Sequence, residues 1–143
     1  MGWSTRVFLV DEVGEIQRFP YARFKRLWDG DPDEQMPDSA GTFLHVAIAY
    51  VETFSRKPLC IRHVDCLRIK LDKKGRIAKD WIQSAMRLAA DGVDWSWLDN
   101  ESNGPKNLVP AGYLFSRKRY KHEFSWEPTT TQNEEIIELC RNI

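Results

Sequence analysis

The sequence predicts an α+β domain: an antiparallel sheet built from successive hairpins, with about three helices packed mainly on one of its faces. Three observations predict it. Short apolar runs, some alternating and some continuous, are joined by turns that carry glycine. Segments with a helical apolar period follow those hairpins. No strand–helix–strand spacing suited to a parallel sheet occurs. The 143 residues, 42% hydrophobic and 12% aromatic, suffice for one domain with a substantial core, so residues 1–143 are read as a single unit.

In chain order, "TRVFLVDEVGEIQRF" reads as two strands joined at Asp11 to Gly14, where glycine supplies the positive φ of a tight turn. Pro20 opens a short helix whose Tyr21, Phe24, Leu27 and Trp28 fall near one side. "DGDPDEQMPDSAG" ends it with a proline-, glycine- and acid-rich stretch expected to order only weakly. "TFLHVAIAYVE" is apolar at both parities, as in a central strand covered on both faces. "LCIRHVDCLRIKL" alternates, and Leu59, Ile61, Leu67, Ile69 and Leu71 are expected to share the inward face. After the "DKKG" turn, "RIAKDWIQSAMRLAADG" reads as a helix with Ile77, Trp81, Ala85 and Leu88 on one side and Gly92 as its stop. Residues 93–111 form a loop with Trp95 and Trp97, and "GYLFSRKRYKHEFSW" is a long strand or hairpin. "TTTQNEEIIELCRNI" is the last helix, with Thr131 and Glu134 at capping-box spacing and Ile136, Ile137, Cys140 and Ile143 on its apolar face.

Lys plus Arg and Asp plus Glu both total 21, so no global field draws the chain to nucleic acid or anionic lipid. No apolar run approaches the roughly 20 residues that cross a bilayer. The N-terminus lacks the basic start and long apolar stretch of a secretory signal, and three cysteines make an odd count for a disulfide framework. A cytoplasmic protein without membrane contact is expected.

Charge is concentrated locally. Arg117, Lys118, Arg119 and Lys121 put four cations into five positions. In an extended strand Arg117, Arg119 and Lys121 share one face, spaced about 6.8 Å apart, and could track the phosphates of a single strand while a neighbouring ring stacks on a base. The same alternation also fits an edge strand guarded by charge. Arg18, Arg23, Lys25 and Arg26 flank the first helix; they either widen that patch or answer the acidic stretch downstream and the helix C-terminal dipole. Trp95 and Trp97 offer a recognition surface for a partner, or else pin their loop to the core.

"CIRHVDC" contains zinc-ligand types, but Cys60 and Cys66 lie about 20 Å apart in extended chain and His63 has the opposite parity, so no metal is expected. His63 and Asp65 could instead form a general-base pair, with His122 the other imidazole worth considering. "DNESNGPKNLVP" opens like a calcium loop, then fails, with Pro110 where the bidentate glutamate belongs. No phosphate-cradling glycine loop or nucleophile elbow occurs, and no cofactor is implied. The hairpin running into "RFPYARFKRLW" resembles small bacterial proteins, a likeness that implies no chemistry. The expectation is therefore a non-enzymatic interaction module that holds a protein partner or a second copy. Single-stranded nucleic-acid binding through Arg117 to Lys121 is the alternative, and a small enzyme using His63 and Asp65 the third.

Overall fold

The computed structural model describes residues 3–52, 60–91, 95–102 and 124–141; for Trp3, Cys60, Arg62, His63, Asp91 and Ser96 it describes the backbone alone. These residues form a four-stranded sheet of order β2-β1-β3-β4, in which β1 is Trp3–Val10, β2 Ile16–Phe19, β3 Phe43–Glu52 and β4 Cys60–Lys70. All three pairings are antiparallel. The helices are α1 (Tyr21–Trp28), α2 (Lys79–Leu88) and α3 (Thr130–Arg141). The predicted α+β class and antiparallel sheet are the observed ones.

Pleating sends alternate residues to opposite faces, and both faces are covered. On one, Val7, Phe19, Leu44, Val46, Ile48, Tyr50, Leu67 and Ile69 meet Phe24 and Leu27 of α1 and Trp81, Ala85 and Leu88 of α2. On the other, Phe8, Ala47, Ala49, Val51 and Cys66 meet Ile136 and Cys140 of α3. Two helices thus share a face and the third closes the opposite one. The run Val46–Val51 is buried throughout because β3 lies between β1 and β4 and under both layers.

Two turns have the same construction. In each, an aspartate carboxylate accepts the backbone N–H groups two and four residues on: Val13 and Glu15 for Asp11, Lys74 and Arg76 for Asp72. A glycine then closes the turn at positive φ, Gly14 at 86° and Gly75 at 80°. The second turn returns Ile77 to an isolated bridge with Leu71, and α2 begins at Lys79 rather than at the predicted Arg76.

Three other expectations are corrected. The ladder passes from Tyr50–His63 to Val51–Ile61, so Arg62 is an extra residue in β4. Beyond that bulge the parity reverses, and Ile61 packs with Val64 and Cys66 instead of with Leu67 and Ile69. The capping box of α3 is Thr129 with Gln132, not Thr131 with Glu134: Thr129 Oγ1 accepts the Gln132 N–H at 3.1 Å, and Gln132 Oε1 accepts the Thr129 N–H at 2.8 Å. The acid-rich segment after α1 is held in place. Glu34 accepts from Arg23 and Arg26, the Met36 N–H donates to Gly75 O at 2.8 Å, and Met36 packs on the core. Hydrogen bonds and ion pairs to neighbouring elements supply what its own apolar content does not.

Candidate functional site

The Asp11–Gly14 turn projects past the end of the sheet, because Val10 is the last β1 residue paired with β3, opposite His45. The chain entering β3 passes the same end through a 3-10 turn at Pro37–Ser39. Between them opens a cleft of about 710 Å³, lined by the turn residues Asp11, Glu12 and Val13, by Asp38 and Ser39, and by Phe43, His45 and Arg68. Val13, at the tip of the turn, is 81% exposed, and Phe43, the first residue of β3, is 37% exposed. Tight turns place their central side chains outward, which accounts for Val13; Phe43 stands at the open rim of the sheet.

Register determines the rest of the lining. Arg68 is opposite His45 and Lys70 opposite Phe43, so the Arg68 guanidinium reaches diagonally over the Phe43 ring, 3.7 Å from its centroid. His45 stands edge-on to Trp126 at 5.8 Å, and the Trp126 indole N–H donates to Val46 O at 3.0 Å. Burial, and then the Arg68 charge, push the His45 imidazole below its ordinary value, so it is neutral at pH 7. The cleft therefore presents carboxylates on Asp11, Glu12 and Asp38, one guanidinium, a neutral imidazole that can accept or donate a hydrogen bond, and two exposed apolar side chains.

A second, smaller groove of about 350 Å³ lies where β1 runs past the end of β2, between Arg6, Arg18, Phe19, Tyr21 and Glu101. Several of its polar groups are engaged within the protein. The Thr5 N–H donates to Glu101 O, Tyr21 Oη donates to Trp97 O at 2.6 Å, and Arg6 and Arg18 donate to the carbonyls of Cys140 and Leu139.

Arg117, Lys118, Arg119, Lys121 and His122 lie outside the described residues. The cations flanking α1 meet partners within the fold. Arg23 and Arg26 bridge to Glu34 at 3.0 and 2.9 Å, Lys25 pairs with Asp29 at 3.0 Å, and Arg18 bonds Leu139 O at 2.6 Å. The Glu34 carboxyl is held below the usual range first by its hydrogen bond from Arg26 and then by that from Arg23.

Of the two readings of Trp95 and Trp97, the recognition surface is not the one observed; the rings pin their loop to the core. Trp97 is 3% exposed and stacks on Phe24 at 5.6 Å, while Trp95 packs on Trp28 and donates from its indole N–H to Ala85 O at 3.0 Å. Their burial follows from ring area, which the core between α1 and α2 takes up. His63 and Asp65 stand opposite Tyr50 and Ile48 in the ladder; Asp65 is half-buried, and the His63 side chain lies outside the described part. Cys66 and Cys140 are free thiols, both buried, and burial raises both, Cys66 to about 12. They are poor nucleophiles and poor ligands in this setting. Among the described residues no group of three or more histidine, cysteine or acidic side chains is placed to hold a metal ion.

Sequence reasoning missed His45, Val13 and Phe43. The histidine sits in a run read as wholly buried, although a polar residue so near the start of an apolar strand is a signal that one end of the strand opens. No protein-family model, no curated protein and no solved structure matches this chain.

Proposed function

We propose that this protein is a non-enzymatic binding module that holds a protein partner in the cleft between the first hairpin turn and the head of β3. The observation that carries this reading is the pairing of apolar exposure with concavity. Of the three large hydrophobic side chains exposed among the described residues, Val13, Phe43 and Met86, two line this one cleft. Clustered exposed apolar groups in a concave site are where binding energy concentrates, whereas single ones scattered over a surface are ordinary. Both sit on rigid supports, a turn clamped by the Asp11 carboxylate and a paired strand, so little ordering cost opposes binding.

The setting that suits such a module is the cytoplasm. Among the described residues no helix is long and apolar enough to cross a membrane, and the two described thiols are unpaired.

A random-peptide display selection on the immobilised protein tests the proposal, each selected clone being measured again on a Val13→Ser, Phe43→Ser double variant. Binders are expected to lose about tenfold or more on the variant, the usual cost of truncating interface anchors. Binders indifferent to both substitutions would move the partner surface elsewhere, and a selection that returns no binder would remove the reading.

A further inference from the structure

We infer that the cleft is built for a basic segment, one in which an apolar side chain is flanked by Lys or Arg; this rests on the binding-module reading above. Asp11, Glu12 and Asp38 stand exposed on the lining, from two separate pieces of chain. Against these three carboxylates the lining carries one formal cation, Arg68, and its guanidinium lies over the Phe43 ring. His45 adds no positive charge at neutral pH, since burial and the neighbouring guanidinium both disfavour its protonation. The whole chain is neutral, so this local excess of negative charge is a property of the cleft and not of the protein.

The apolar and charged groups divide the work. Val13 on the turn and Phe43 on β3 provide two walls for a single apolar side chain, whose burial supplies affinity. Glu12 and Asp38 set which flanking residues are accepted: a cation gains a partner on the rim, while an anion is brought against like charge. Arg68, stacked on Phe43, holds one face of that ring and keeps the wall in place. An acidic peptide and the phosphate backbone of a nucleic acid are both disfavoured at this site.

Two short synthetic peptides of the same length test this, each with a Leu-Phe centre, one flanked by Lys and Arg and the other by Glu. Their binding is measured by fluorescence anisotropy at low and at moderate salt. The basic peptide is expected to bind roughly three- to tenfold more tightly at low salt, as two exposed ion pairs of ordinary strength allow, with the difference shrinking as salt rises. A Glu12→Lys, Asp38→Lys variant, checked for native far-UV circular dichroism, is expected to abolish or reverse that preference. If display-selected peptides depend on Val13 and Phe43 but both synthetic peptides bind equally, or the acidic one binds better, the basic-segment inference is overturned and the module stands. If no peptide depends on Val13 and Phe43, both fall together.

Discussion

Arg6, in the first strand, donates from its guanidinium to the backbone carbonyl of Cys140, 134 residues away in the last turn of α3. Arg18, opposite Phe8 on the neighbouring strand, donates to the carbonyl of Leu139 at 2.6 Å. The final carbonyls of a helix have no partner within it and carry the negative end of its dipole, so two cations from the sheet complete and neutralise that end. The arrangement fixes α3 over the sheet face that α1 and α2 leave uncovered.

Removing either arginine should therefore loosen the last helix. Arg6→Ala and Arg18→Ala are each expected to cost about 1–3 kcal/mol, the range for a hydrogen bond to a charged group, measured by urea denaturation. Arg26→Ala, on an exposed ion pair, is expected to cost less than about 1 kcal/mol. Equal losses at all three positions would count against a special role for the α3 terminus.

The two Asp–Gly turns separate backbone strain from steric clash. Gly14→Ala meets Gln132 Nε2 at 3.4 Å, an ordinary contact, so its cost is that of positive φ alone, about 1–2 kcal/mol. Gly75→Ala would place its Cβ 2.5 Å from Met36 O, which is backbone and cannot swing away. Thermal denaturation should show the Gly75 variant clearly less stable than the Gly14 variant. Similar melting temperatures would mean that the segment around Met36 yields freely.

The cap of α3 gives a test with its own control. Thr129→Ala removes the acceptor for the Gln132 N–H and is expected to destabilise the protein by about 1 kcal/mol, with Gln132→Ala somewhat milder. Thr131→Ala, at the position that spacing alone nominates, should leave stability within about 0.5 kcal/mol of the parent. Chemical denaturation of the three variants decides between the two registers.

His45 should make stability fall on mild acidification. Its folded pKa lies below the ordinary histidine value, so the unfolded chain binds the proton more readily. Its contribution is fully present above the ordinary value, about 6.5, and is lost as pH falls from there through the depressed folded value. In the wild-type protein the urea midpoint should drop between pH 7.5 and pH 5.5, and His45→Gln should flatten part of that slope. An NMR titration placing the His45 midpoint at or above the ordinary range would defeat the prediction.

Much of this fold was legible in the residues. The Asp11–Gly14 turn, the doubly covered Val46–Val51 run and the Trp81, Ala85, Leu88 stripe each rest on near neighbours, and near neighbours are what a sequence displays. The β4 pattern failed at Arg62 because a single inserted residue reverses the side chains before it, Ile61 among them, relative to Leu67 and Ile69 after it, and nothing local marks it. The α3 cap failed because Thr129, Thr130 and Thr131 are chemically equivalent, and the site was chosen by where Ile136 and Cys140 had to meet the sheet.

The amino-acid order by itself determined the class of the fold, its turns and which strand lies at the centre, since these follow from apolar period and from backbone geometry at glycine and proline. Tertiary structure alone decided that Val13, Phe43, His45 and Arg68 share one cleft, that Glu34 gathers Arg23 and Arg26, and that Trp97 is buried. Most of those relations join residues tens of positions apart, and proximity across such distances is created by the pairing register and by the packing of helices on the sheet.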